Sequence, residues 1–390
     1  MKESIIFLFL LITLSGFCDK FVWNSKAPYP SFPRHRCAAF SIGNKGYMGI
    51  GHINSGSISQ GYDDWWEFDP ATNSWSQKAN YPKNRYGTAT FVIGNKGYMG
   101  TGCKQNDPDQ QDFFEYDPIT NLWTQKADFP IASSGNIGFT INGEGYIGLS
   151  SNAGLYKYDV SADTWTAVST TIPGTDYSAS FVINNKLFVV PAFSNSLYMF
   201  DPVTGSTTTL APFIGQIRYG SCSFSVRGQG YVGLGDYSGS FKDFYVYDSA
   251  TNSWDTIPKA FPGVRRFYVP SFVIGDNAYF GTGTNGTNLG DMWAYEWKVA
   301  VGIQEQFQDK DFLIYSDPVN ELVNFSIPKA AVNQKLILTI FSLDGKVLHD
   351  EQINEANFSC RSSEIKKGMY LACIRNQENS IFITKKLIIN

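Results

Sequence analysis

One unit recurs along this chain: a short apolar strand, a GNK-type turn, a strand ending in an aromatic-rich Gly segment, a strand ending in Asp, a turn, and a Trp. It reads GNKGYMGIG…WWEFDPATNSW, then GNKGYMGTG…FFEYDPITNLW, with weaker copies after. Tyr47, Tyr98, Tyr146, Phe188, Tyr231 and Tyr279 mark six copies, at spacings of 51, 48, 42, 43 and 48 residues. Several short strands per unit at a period of roughly 40 to 50 predict propeller blades. Within each unit the strands alternate apolar and polar residues, as half-buried sheet requires, and Asp, Pro, Asn and Gly supply the turns. We label the four strands of a unit a to d.

The aromatic-Asp cores of strand c are Trp65–Asp69, Phe113–Asp117, Leu155–Asp159, Leu197–Asp201, Phe244–Asp248 and Met292–Glu296. Strand d carries Trp75, Trp123, Trp165 and Trp254, with Thr207 in the fourth unit. The sixth unit has no strand d after Tyr295. WNSKAPYP at 23–30 matches WSQKANYP at 75–82 at five of eight positions. The segment around Trp23 is therefore expected to complete the last blade and close a six-bladed ring, removing an exposed sheet edge. Aromatics make up 16% of the chain and recur at fixed places in the unit, so most are expected to pack between blades.

The unit resembles the kelch repeat, the propeller type of the galactose oxidase central domain. The resemblance rests on YMGIG, YMGTG, YVGLG and YFGTG, the aromatic-Asp ends of strand c and the strand-d Trp, over about residues 20–298. The usual kelch double glycine is absent, and YIGLS and FVVPA in the third and fourth units depart further.

Both ends of the chain differ from the repeat. MKESIIFLFLLITLSGFCDK has a Lys, an apolar run Ile5–Leu14 and then Ser15 and Gly16, the pattern of a secretory signal over residues 1–18. Lipidation at Cys18 is the rival reading, weakened by Phe17 where a small residue is usual. The apolar run is too short to span a membrane, and no later segment of the mature chain qualifies. After Val299 the rhythm stops. Residues 301–308 read as a linker, and 309–390 as a small β-sandwich with an Asp344–Gly345 hairpin turn. This segment looks like the C-terminal sorting domain of the type IX secretion system, through Ile314-Tyr315-Ser316-Asp317-Pro318, SLDGKVL, Gly368-Met369-Tyr370 and KKLII. The resemblance implies secretion machinery as a partner and a secreted or outer-surface location.

Net charge is −4 with no basic block, so nucleic acid is not an expected partner. Export permits disulfides. Cys360 and Cys373 could pair, but two buried strand thiols is the favoured reading. Cys37, Cys103 and Cys222 have no metal-ligand spacing. The segment 107–112 lacks an EF-hand spacing, and no metal or other cofactor is expected.

Candidate binding residues come from the repeat itself. Arg34, Arg85, Arg218 and Arg266 each lie 13 residues before their strand-b aromatic. Asp64, Asp112, Asp243 and Asp291 precede strand c in the same four units. The other two units carry Ser133, Gly154, Thr175 and Ser196, and lack both charges. Two readings follow: a ring of cations at the channel mouth awaiting an acidic ligand, or Arg–carboxylate pairs bracing the loops, which the joint presence and absence favours. The b–c loops are long in units one (52–63), two (103–111), five (236–242) and six (284–290), a crescent rich in Asn, Gln, Ser, Gly and Tyr. His52, Tyr62 and Tyr237 belong to it. A glycan or a protein could dock there.

An enzyme is the weaker expectation. His35, His52 and His349 read as dispersed, with His35 and His52 exposed in loops. Copper oxidases on related propellers need imidazole pairs with Tyr and Cys, and no GxSxG, HExxH or P-loop occurs. A sugar mutarotase or epimerase, known on kelch-like propellers, would need a channel Arg and a carboxylate, and stands as the alternative to a non-catalytic binding protein.

Overall fold

The computed structural model describes residues 20–55, 58–104, 107–257 and 259–298, and stretches of 312–389. The expected signal segment, Cys18, the 301–308 linker and the Asp344–Gly345 turn lie outside the described residues. The chain divides into one unit over Val22–Glu296 and another containing Trp297–Asn390.

The first unit is all β. Among its described residues, six four-stranded antiparallel sheets repeat the a–d order. The a strands are Ala38–Ile42, Ala89–Ile93, Ile137–Ile141, Ala179–Ile183, Cys222–Val226 and Ser271–Ile274. Each packs against the a strands of the sheets before and after it, and the sixth meets the first, so the sheets stand in a ring. In every sheet the same aromatic pair is directly cross-strand between a and b: Phe40↔Tyr47, Phe91↔Tyr98, Phe139↔Tyr146, Phe181↔Phe188, Phe224↔Tyr231 and Phe272↔Tyr279. Such pairs are the unit of sheet stabilisation.

Between sheets, packing depends on a small residue opposite a large one. A Cβ on Gly46, Gly97, Gly145 or Gly230 would fall within 2.0–2.2 Å of Phe272, Phe40, Phe91 or Phe181 of the preceding blade. Hence the Gly before the strand-b aromatic in GYMG and its kin. The strand-d Trp residues tie the rim. Trp75, Trp123 and Trp165 donate Nε1–H at 3.0 Å to the carbonyls of Ala27, Ala79 and Ala127 in the previous blade, and Trp254 to Ala211 at 3.2 Å. Where the fourth blade has Thr207, its hydroxyl meets Thr170 at 3.1 Å instead.

Strand Lys20–Lys26 lies beside Met292–Lys298 as the outermost strand of the last sheet. Trp23 packs on Tyr295 with ring centroids 4.4 Å apart and donates to Lys259 O at 2.8 Å, the same tie the other Trp residues make. The two ends of the repeat array thus share one sheet.

The C-terminal unit has a three-stranded sheet (Leu313–Asp317, Leu322–Ser326, Asn357–Arg361) and a four-stranded one (Val347–Gln352, Leu336–Ser342, Gly368–Asn376, Phe382–Ile389). Val323 and Phe325 from the first and Leu338, Ile340 and Ala372 from the second share one core, the packing of a small sandwich. Cys360 and Cys373 are both buried, one in each sheet. No helix among the described residues is long and apolar enough to cross a membrane.

Candidate functional site at the mouth of the central channel

The backbone where each a strand begins builds the site. Residues 36, 87, 135, 177, 220 and 268 occupy the same place in the six blades, all with φ between 56° and 67°. Their peptide groups form a closed ring. Arg36 N–H donates to Tyr268 O, Gly87 to Arg36, Gly135 to Gly87, Tyr177 to Gly135, Gly220 to Tyr177 and Tyr268 to Gly220, at 2.7–3.2 Å. The left-handed backbone favours Gly, which three blades supply. The other three spend the strain on side chains: Arg36, Tyr177 and Tyr268. Gly87 also gives room, since a Cβ there would meet Tyr177 Oη at 2.7 Å.

Inside this ring lies a chamber of about 140 Å³, lined by the ring residues and by Cys37, Thr88, Asn136, Ser178 and Ser221. Thr88 Oγ1 and Asn136 Oδ1 are buried without a hydrogen-bond partner. The Arg36 guanidinium lies 3.5 Å from the Tyr268 ring centroid and 5.3 Å from that of Tyr177, a cation–π stack. It makes no ion pair among the described residues, and its Nε has no partner. A half-buried cation that lines the chamber with no carboxylate beside it among the described residues can take an anionic ligand.

The four arginines singled out from the sequence behave differently. Arg34, Arg85, Arg218 and Arg266 are at most 3% exposed, and none lines the chamber. Arg266 shows the pattern in full. Its Nε donates to Val264 O at 3.1 Å, its Nη1 to Thr282 O at 3.2 Å and to Asp291 Oδ1 at 2.7 Å, and its Nη2 to Asp291 Oδ2 at 2.7 Å. Arg218 repeats this with Gln216 O, Leu234 O and both oxygens of Asp243, and Arg34 with Phe32 O, Ile50 O and Asp64. Arg85 reaches Asp112 through Nη2 alone, at 2.5 Å. A donor two residues after the Asp steadies it in three blades: Trp66, Tyr245 and Trp293. Phe114 holds that place in the second blade, and there Asp112 Oδ1 is left without a partner. Burial opposes ionisation of Asp243 and Asp291, yet the hydrogen bonds and charges of Arg218 and Arg266 hold both below the usual carboxylate range. A ring of free cations at the mouth is therefore not what these four residues build.

The histidines correct a second expectation. His35 and His52 are buried, at 4% and 6% exposure, and adjacent. They exchange two backbone hydrogen bonds, and their rings lie 5.2 Å apart. The cause is register: the hairpin pairing Ile42↔Lys45 through Ala38↔Gly49, continued outward, sets His35 opposite His52. His52 stacks on Tyr86 at 4.4 Å and shares a hydrogen bond with Ser59 at 3.0 Å. His35 Nδ1 meets Arg36 Nη1 at 3.1 Å. Burial, then Arg36, then His52 lower the His35 pKa to about 3; burial and Arg36 lower that of His52 to about 4. Both rings are thus neutral at ordinary pH, and His35 presents a lone pair to the guanidinium. No group of three or more metal-type ligands occurs among the described residues.

The first b–c connection is also not a loop. Strands Lys45–Ser55 and Ile58–Asp69 continue as a hairpin through His52↔Gly61 to Ser55↔Ile58. Tyr62, on its returning strand, covers the Arg34 guanidinium at 3.9 Å. Tyr237, in the fifth b–c loop, is 52% exposed. Sequence reasoning missed Arg36, Tyr177 and Tyr268. The available signal was the glycine at the equivalent place of three other blades.

Residues 313–390 match the family described as "Secretion system C-terminal sorting domain". The protein is accordingly secreted or displayed on the cell surface. A stretch of 87 residues is 33% identical to the N-acetylneuraminate epimerases of Shigella flexneri and of Escherichia coli strain K12. It spans 22% of this chain and 23% of the relatives, so the chain matches less than a quarter of the length of those curated proteins. The solved structure of YjhT, a kelch-type propeller, is similar with a TM-score of 0.59 and 15% identity, covering 68% of this chain and 95% of that one. This likeness shows the fold.

Proposed function

We propose that this exported propeller is a non-catalytic binding protein for a glycan that carries a carboxylate, seated at the channel mouth on the b–c loop face. One observation carries the reading: among the described residues Arg36 is a cation without a counter-ion, held in place by its stack on Tyr268 and lining a chamber whose Thr88 and Asn136 oxygens also lack partners. A carboxylate would take the guanidinium, and sugar hydroxyls would donate to those oxygens. The test is calorimetric titration of the mature protein with acidic and neutral sugars, alongside a surface-protein screen. Arg36→Met removes no ion pair, so it should change stability by less than about 1 kcal/mol. It should weaken an acidic ligand by about 10- to 100-fold. Equal binding by wild type and variant would refute the assignment.

The relatives favour a second reading, a mutarotase or epimerase. That chemistry needs a proton acceptor beside the reacting carbon. The chamber lining holds no carboxylate among the described residues, and Asp176, Asp236 and Asp109, whose charges act on Tyr268 and Tyr86, each accept a hydrogen bond outside it. Asp176 Oδ1 accepts from Ser151 N–H at 2.8 Å, Asp236 Oδ2 from Ser240 at 2.8 Å, and Asp109 Oδ1 from Cys103 at 3.1 Å. The geometry therefore supports binding over turnover. Faster exchange between N-acetylneuraminate anomers in the presence of the protein, followed by NMR, would reverse that order.

A further inference from the structure

The fourth blade departs from a rule kept by four of the six. After strand b, the residue whose N–H bonds to the next blade is glycine in four blades: Gly51 to Arg85 O, Gly102 to Ser133 O, Gly235 to Arg266 O and Gly283 to Arg34 O. Their φ angles are 90° to 105°. The fourth blade makes the same bond, from Phe193 to Arg218 O at 3.2 Å, with φ 62°. A left-handed backbone costs a non-glycine residue roughly 1–2 kcal/mol. The Phe193 ring is 56% exposed, so burial does not offset that cost. The other blades also place a non-glycine residue of left-handed φ at this turn (Ile50, Thr101, Leu149, Leu234 and Thr282), but those side chains are buried, whereas the fourth blade turns its own toward solvent.

Phe193 does not stand alone. Its ring lies 5.1 Å from Tyr219 and 6.3 Å from the exposed Tyr237. Tyr219 lies 5.7 Å from Tyr268, the ring beneath Arg36. The aromatic surface thus runs from the charged mouth outward across blades six, five and four, in steps comparable to one pyranose. Ser238, Ser240 and exposed Lys242, which follow Tyr237 in the chain, line a hollow of about 330 Å³ with exposed Arg265 and with Asp243, whose carboxylate Arg218 neutralises. Lys242 and Arg265 make no ion pair among the described residues.

We infer that Tyr219, Phe193 and Tyr237 form an outer subsite that extends the mouth, so that the ligand is an acidic oligosaccharide rather than a single sugar. The inference rests on the binding function proposed above. The apolar C–H faces of successive sugar rings pack on the aromatic faces, as flat apolar surfaces do. Arg36 holds the carboxylate of the first unit. Lys242 and Arg265 meet the carboxylate of a later one, which commits the occupant to a chain charged on more than one unit.

The experiment titrates the full mature protein with galacturonic acid and its linear oligomers up to six units. N-acetylneuraminic acid and its oligomers form a second arm, and neutral cellohexaose is the control. Affinity should rise by about tenfold or more from monomer to trimer in at least one acidic series. Phe193→Gly places at φ 62° the residue that adopts it without strain, so it should fold at least as well as the wild type. Combined with Tyr237→Ala, it should abolish the gain with length and leave monomer affinity unchanged. Lys242→Gln with Arg265→Gln should flatten the salt dependence of the long ligand only. Monomer binding without any gain from length would overturn this inference and leave the mouth assignment standing. Oligomer binding unaffected by Phe193→Gly with Tyr237→Ala would do the same. Failure of every acidic sugar, or a protein ligand that ignores both regions, would overturn both readings.

Discussion

Asp291→Ala should unmask the cost of the buried guanidinium it now neutralises. Arg266 has no exposed surface and four donor contacts, two of them to Asp291. Removing the carboxylate leaves a full charge in the interior with only the Val264 and Thr282 carbonyls as acceptors. Breaking a buried pair from one side costs about 3–5 kcal/mol. The two surviving carbonyls place the cost near the lower end, about 3 kcal/mol. For a unit the size of Val22–Glu296 that corresponds to a fall in Tm of about 5 °C. The reverse deletion is gentler in its charge balance, because the Asp291 side chain is 43% exposed and can rehydrate. The double variant Asp291→Ala with Arg266→Met should therefore regain at least about 1 kcal/mol over Asp291→Ala alone. Urea unfolding followed by Trp fluorescence measures all three, and Trp293, which donates to Asp291, is a local reporter. A loss below about 1 kcal/mol for Asp291→Ala, or strict additivity in the double variant, would refute the view that these pairs brace the blades.

The histidine pair predicts an acid-sensitive limb. Both folded pKa values are lowered from 6.5, to about 3 and about 4, so the unfolded chain takes up protons first as pH falls. Stability should be complete well above pH 6.5 and decline through the window from 6.5 to about 4 for His52 and to about 3 for His35. The loss is about 3–4 kcal/mol by pH 5 for the two together, and chemical denaturation across that range with His35→Gln/His52→Gln should show a flatter profile. Trp23→Ala removes a ring packed on Phe244, Phe261, Phe280 and Tyr295 and should cost about 2–4 kcal/mol by urea unfolding. Deleting residues 312–390 should leave a propeller with native near-UV dichroism that no longer reaches the cell exterior by fractionation; normal export of that truncation would contradict the sorting role.

The ring of sheets was legible because its determinants are local and periodic. Each blade needs the same Phe–aromatic pair and nearly the same Gly and Trp, so one alignment of Tyr47 with Tyr98 exposes them all. The closing strand was legible because Trp23 must make the bond that Trp75 makes. The Arg–Asp pairs could be read from co-occurrence, since a buried guanidinium without its carboxylate is too costly to keep. The histidines were misplaced because the segments that carry them, outside the predicted strands, were read as loops. Extending the hairpin register by three positions would have brought them together. Arg36 escaped notice because it occupies a backbone position, defined by φ, that Gly87, Gly135 and Gly220 fill elsewhere. Phe193 escaped because FVVPA obscured which residue stands for the glycine.

The strand at 20–26 has its hydrogen-bonding neighbour at 292–298, at the far end of the array. A nascent chain can stack blades one after another, but the circle stays open until nearly three quarters of the polypeptide has been made. Contacts of such sequence separation form late. The strand at 20–26 is therefore among the last to find its place, and the ring has a free sheet edge until it does.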